Sequence, residues 1–232
     1  MELNINFSPS ANELAQINDF LFEEDRNFHE GFYCNWQLIE NAYKSKRLFS
    51  FHCDSECIGF VEWRDDPFVI DIDRFEIKRE YRGKGVGRYI VGVLMNFFKN
   101  HRKVVVRLFC EPKISVGFWR RLGFIQLPPT DYWNELTFYH NLFPAQGTIE
   151  DPDPLNKVEL WNLEPYQIKV EKPMWTWNFN IKSVQTEQPI LQPCNSNWNL
   201  KITRYGEIVS QGKVKHISDA GNQIYFNFLF IY

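Results

Sequence analysis

The first residues of the chain alternate apolar and polar, with Leu3, Ile5 and Phe7 on one side, which predicts a short strand. Ser8-Pro9-Ser10 interrupts it. Ser10 and Glu13 then have the spacing of a capping box, in which each satisfies an amide of the other, and Leu14, Ile17, Phe20 and Leu21 recur at helical spacing. A second helix fits Trp36 to Lys46, with Leu38, Ile39 and Tyr43 on one side. Strands are predicted for Arg47 to Cys53, Glu56 to Arg64 and, longer, Phe68 to Lys78. A glycine-rich turn, Arg82 to Gly87, leads into an apolar helix that runs from Val86 to Lys99 and carries Ile90, Val91, Leu94, Phe97 and Phe98. Lys103 to Cys110, with Val104, Val105, Val106 and Leu108, has the unbroken apolar character of a strand buried on both faces. Pro112 opens a further helix, which Gly123 ends, and Phe124-Ile125 and Trp133 to Leu142 are the last strands of this part. The predicted order is β-α-α-β-β-β-α-β-α-β-β, a layered α/β architecture.

The pattern changes after Phe143. Residues 144–156 are rich in proline and acidic side chains, which predicts a linker. From 157 to 232 there is no helical periodicity. Short alternating runs take its place: Trp175, Trp177, Phe179, Ile181; Trp198, Leu200, Ile202; and Ile224, Phe226, Phe228, Phe230. Turn-forming clusters at Tyr205-Gly206-Glu207 and Asp219 to Asn222 separate them. The expectation is an α/β domain over 1–143 followed by a small all-β sandwich or barrel over 157–232.

Composition narrows the chemistry. Apolar residues make up 44% of the 232 and aromatics 17%, enough for a packed core, while a formal net charge of -3 gives no basic field for nucleic acid. The five cysteines, Cys34, Cys53, Cys57, Cys110 and Cys194, have neither the even count nor the spacing of a disulfide framework. His52 beside Cys53 and Cys57 does not complete a metal site, so no metal is expected. No apolar run is long enough to span a bilayer and the N-terminus lacks the pattern of a secretory signal, so no membrane association and a cytoplasmic location are expected.

The segment that carries chemistry is Phe75 to Gly87. A strand enters a tight turn, Arg82-Gly83-Lys84-Gly85-Val86-Gly87, that opens a helix. Backbone amides in such a turn face inward without side chains in the way, and the helix N-terminus adds unpaired donors, so the pattern suits a pyrophosphate. Arg82, Lys84 and Arg88 place mobile positive charge at its rim. A dinucleotide fingerprint needs G-x-G-x-x-G and a nucleoside-triphosphate loop needs Gly-Lys-Ser/Thr; neither spacing is met. What is met is R-x-x-G-x-G, by Arg82, Gly85 and Gly87. In the extended form from Ile77 through Glu80 and Tyr81 to Gly87, the sequence resembles the GNAT superfamily of N-acetyltransferases. Phe118-Trp119-Arg120-Arg121-Leu122-Gly123-Phe124 resembles a second element of that family.

The resemblance covers 1–143 and implies a mixed, mostly antiparallel central sheet flanked by helices, with acetyl-CoA as co-substrate. It places Ile77 beside the pantetheine arm and the amides of Gly83 to Arg88 (Gly83, Lys84, Gly85, Val86, Gly87 and Arg88) on the diphosphate. The family often has a carboxylate four or six residues before the Ile77 position, which points to Asp73 and Asp71 as candidate general bases. Simple alternation puts both on the face of Phe75 and Ile77, with Glu76 on the other. The two could equally bind a cationic amine. Where many relatives have a tyrosine that protonates the leaving thiolate, this chain has Trp119, whose indole cannot supply a proton and is expected to wall the pantetheine arm. Pro112 and Ser115 also depart from the family's Asn and Ala. The expected activity is acetyl transfer to an amine of a small molecule, peptide or protein; the other reading is acyl-CoA binding without catalysis. The β region is expected to recognise a partner or to dimerise.

Overall fold

The computed structural model describes residues 2–66, 68–127, 136–149, 155–169, 172–178, 189–218 and 228–231. Two compact units emerge, Met1–Gln126 with Leu136–Leu142, and the remainder of the chain.

In the first unit the elements are β1 (Leu3–Asn6), α1 (Ala11–Phe28), α2 (Trp36–Lys44), β2 (Leu48–Cys53), β3 (Glu56–Asp65), β4 (Val69–Ile77), α3 (Val86–Asn100), β5 (Val105–Phe109), α4 (Val116–Arg121), β6 (Ile125–Gln126) and β7 (Thr137–Asn141). This is the order the hydrophobic pattern predicts; the Trp133 to Glu135 start of the last predicted strand lies outside the described residues. The sheet runs β1-β2-β3-β4-β5-β7-β6. Every neighbouring pair is antiparallel except β4 and β5, which α3 joins as a parallel crossover. Helix α1 starts at the predicted box: the Ser10 amide donates to Glu13 Oε2 (2.6 Å) and the Glu13 amide to Ser10 Oγ (3.3 Å).

Helices α1 and α2 cover one face of the sheet, where Ile17, Phe20, Leu21 and Ile39 pack on Leu48, Cys57 and Phe60. Phe97 and Phe98 of α3 cover the other through Phe49 and Trp63. Gly59 of β3 lets β4 come close: a Cβ there would lie 2.3 Å from the Glu76 carbonyl oxygen.

Strand β4 changes character part-way. Trp63 pairs with Ile72 and Glu62 with Arg74, so Asp73 is an extra residue, a β-bulge. One inserted residue exchanges the faces of everything beyond it. The alternation expected from sequence, with Asp71 on the same face as Phe75 and Ile77, is therefore corrected. Asp71, Arg74 and Glu76 pair with Arg64, Glu62 and Phe60 and share the α1–α2 face, whereas Ile72 and Phe75 share the α3–α4 face. Pairing of β4 with β5 covers only Val69–Ile72 against Val105–Leu108. From Asp73 onward the two strands are no longer paired.

In the second unit the elements are β8 (Lys157–Trp161), β9 (Trp175–Asn178), β10 (Ile190–Pro193), β11 (Asn199–Arg204), β12 (Glu207–Lys213) and β13 (Phe228–Ile231). They form an antiparallel four-stranded sheet, β12-β11-β8-β9, and a β10-β13 pair. The β11–β12 hairpin turns at Tyr205-Gly206, with φ of 53° and 85°, the positive values that a tight two-residue hairpin needs. Val158, Leu160, Trp177, Leu200, Ile202 and Leu229 are core, and Trp175 stacks on Trp198 with centroids 5.5 Å apart. The front of the predicted linker is bonded within this unit: the Gln146 amide donates to the Pro189 carbonyl and the Ile149 amide to that of Thr176. Phe179, Ile181, Ile224, Phe226 and the predicted turn at 219–222 lie outside the described residues.

Candidate functional site

The glycine-rich turn lies between the end of β4 and the start of α3. Gly83 and Gly85 have φ of 74° and 85°, values that side chains rarely adopt, and no heavy atom lies within 4 Å of a Cβ built on either. The first amide bonded in this stretch is that of Tyr89, which donates to the Gly85 carbonyl (3.1 Å). The amides of Gly83 to Arg88 have no acceptor among the described residues. The positive end of the 15-residue helix α3 lies at the same turn. Val86 is buried and anchors the turn. Gly87 is close enough to Phe118 that a Cβ would lie 3.1 Å from its ring. Lys84 and Arg88 are exposed at the rim.

Beside the turn, the parting of β4 from β5 opens a cavity of about 390 Å³. Its lining runs from Gly83 and Gly87, past Ile77, Phe75 and Ile72 of β4, to Leu108 and Phe109 of β5, and is closed by Ile114, Phe118 and Trp119. Trp119 is buried and meets Phe75 in a T-shaped contact, ring centroids 5.5 Å apart. Asp73, Glu76, Arg82, Glu111 and Ser115 are the ionisable and hydroxyl groups of the lining.

Residues 11–124 match the acetyltransferase (GNAT) family. They form a GNAT acetyltransferase domain. Among solved structures, a protein of Desulfovibrio desulfuricans assigned to that family covers 61% of this chain and all of its own, with a TM-score of 0.50 at 9% identity. Two others are similar at lower scores. The PaiA N-acetyltransferase of Thermoplasma acidophilum, in complex with coenzyme A, has a TM-score of 0.45 and 18% identity over 60% of this chain and 97% of its own. The ribosomal-protein-S18-alanine N-acetyltransferase of Escherichia coli has a TM-score of 0.47 and 13% identity over 65% of this chain and all of its own. No curated protein sequence matches the chain.

Within the GNAT domain the charges are arranged otherwise than alternation predicts. Asp71 is buried and held by Arg107 of β5, whose Nε and Nη2 donate to its two oxygens at 2.5 and 2.7 Å. It does not line the cavity. Asp73 does, but both its oxygens accept from Arg64, at 2.7 and 2.9 Å. Arg74 is paired with the buried Glu62. Arg82 is not mobile at the rim. Its Nε donates to the Ile77 carbonyl (2.7 Å), and its Nη2 to Glu24 of α1 and to Glu76, both at 2.7 Å. Glu30, beyond α1, lies 3.4 Å from Nη1.

Glu76 is the carboxylate that alternation set aside. It lines the cavity on the α1–α2 face, and burial pushes its pKa up to about 7. Arg82 opposes that rise, while the negative charges of Glu24 and Glu30 add to it. No tyrosine lines the cavity among the described residues. Tyr81 donates to Glu56, which with burial holds its hydroxyl up at about 12, and burial likewise raises Tyr139. Tyr132 lies outside the described residues.

Proposed function

We propose that this protein transfers an acetyl group from acetyl-CoA to a primary amine, with Glu76 as general base. The observation that carries the reading is one continuous cavity that joins the free amides at Gly83 and Gly87 to the partly buried carboxylate of Glu76 through the gap between β4 and β5.

The residues present fit coenzyme A. Six unoccupied amides and open space above two glycines suit a diphosphate. The unpaired edge of β4 beyond Asp73 can bond an amide-bearing arm, and Phe75, Phe118 and Trp119 give that arm an apolar wall. Acetyl-CoA supplies the acyl group. An amine arrives as an ammonium ion at neutral pH and becomes a nucleophile only when it loses a proton. Glu76 can take that proton because burial has brought its pKa near neutrality, close to the optimum for a general base. Arg82 keeps the carboxylate form accessible and fixes the side chain. Asp73 assists as a second negative charge, with Arg64 holding it in place. Trp119 donates no proton, so the thiolate leaves as the anion, which coenzyme A tolerates.

Free-thiol release from acetyl-CoA with a panel of amines tests the proposal. The wild-type rate should rise as pH passes through about 7, as Glu76 gives up its proton. Glu76→Gln should lower kcat by about a hundredfold or more and remove that step. Acetyl-CoA binding without thiol release from any amine would favour the non-catalytic reading, which the absence of a tyrosine from the described lining makes the natural competitor.

A further inference from the structure

We infer that the acceptor is a primary amine carried on an aromatic or branched aliphatic group that lies against Phe32, Phe109 and Ile114. The inference rests on the transferase reading and narrows its substrate.

The two faces of the sheet divide the cavity's tasks. The glycine turn feeds α3, so the diphosphate belongs on the α3–α4 side. Glu76 faces the α1–α2 side. On β5, Arg107 meets Asp71 on that same side, and the regular β5–β7 register carries the alternation on to Phe109. Phe109 therefore stands on the face of the proposed base. It is 47% exposed, and Ile114, at the mouth of the same cavity, is 89% exposed. Single exposed apolar side chains are ordinary, but two that line one cavity with a partly buried carboxylate form a surface that a ligand can cover. Phe32, from the connection between α1 and α2, adds a third apolar group.

The polar groups of the lining favour the same acceptor. Asp73, Glu76 and Glu111 are acidic, and the cation among them, Arg82, already serves Glu24 and Glu76. An anionic acceptor would be repelled. Ser115 is the neutral hydroxyl of the described lining, and Asp73 and Glu76 are already engaged by Arg64 and Arg82, so an amine rich in hydroxyl groups would lose its water for few free partners. Removal of apolar area from water rewards an aromatic or branched carrier by about tenfold or more for a ring-sized group.

The test uses the full chain with saturating acetyl-CoA, at a pH above the Glu76 transition. Thiol release is compared for phenethylamine, isoamylamine and phenylalanyl-alanine amide against ethanolamine, glucosamine and spermidine. The expected result is a kcat/KM about tenfold or more higher for the apolar set. The relative rates of phenethylamine and the dipeptide amide tell a small-molecule source from a peptide N-terminus. Phe109→Ser with Ile114→Ser should shrink the preference to about threefold or less, with acetyl-CoA affinity by calorimetry retained. A preference for ethanolamine, glucosamine or spermidine overturns the acceptor class and leaves the transferase reading standing. Thiol release from none of the amines overturns both.

Discussion

The two halves of β4 share one strand and have opposite duties. Val69–Ile72 is hydrogen-bonded to β3 on one edge and β5 on the other, and each of these residues is buried. Its one carboxylate, Asp71, is locked to Arg107. Asp73–Ile77 begins at a bulge, has lost its β5 partner and lines a cavity. Its carboxylate Glu76 sits where burial makes a proton easy to hold and easy to release near neutrality. A carboxylate is therefore structural on one side of the bulge and, in the proposed reaction, the base on the other. What distinguishes the two positions is whether a neighbouring strand has taken up the edge.

Substitutions can sharpen or break that contrast. The largest effect should come just beyond the open half. Gly85→Glu puts a side chain at a φ of 85° and a negative charge where a diphosphate would lie, and should weaken acetyl-CoA binding by about a hundredfold or more in calorimetry. Glu76→Gln comes next, with its loss in rate and little loss of stability. The folded-state value of about 7 lies above the ordinary 4.5, so the folded chain binds this proton more tightly than the unfolded one. That contribution is complete below about 4.5 and is lost as pH rises through 7, so a neutral glutamine should be no less stable than wild type above that range. In the paired half, Asp71→Asn should do the reverse. It removes one partner of a buried ion pair, so denaturant unfolding should report a loss of about 3 kcal/mol. If Asp71→Asn instead spared stability and abolished thiol release, the division between the halves would be wrong.

Much of the first unit was legible because it depends on local signals. The helices follow from 3.6-residue periodicity, α1 from the Ser10–Glu13 box, and the turn from glycines whose φ values no other residue takes readily. The proposed phosphate cradle needs only backbone amides, so Gly83 to Arg88 could be proposed from the chain alone. The base could not. Which carboxylate faces the cavity depends on a bulge at Asp73, and that bulge is one extra residue in the β3–β4 hairpin, which the alternating pattern does not mark. The fate of Arg82 was hidden for another reason, since Glu24 and Glu30 lie more than fifty residues before it. The strands of the second unit were visible as alternating runs, but their division into a four-stranded sheet and a separate pair reflects long-range pairing of the same kind.

The most direct test is an amide-resolved titration of the full chain with coenzyme A, followed by heteronuclear NMR. If the transferase site is as proposed, the amides of Gly83 to Arg88 and of Asp73 to Ile77 shift together and saturate at one affinity, while those of Val69 to Ile72 stay in place. Saturating coenzyme A that leaves Gly83 to Arg88 unmoved would contradict that proposal.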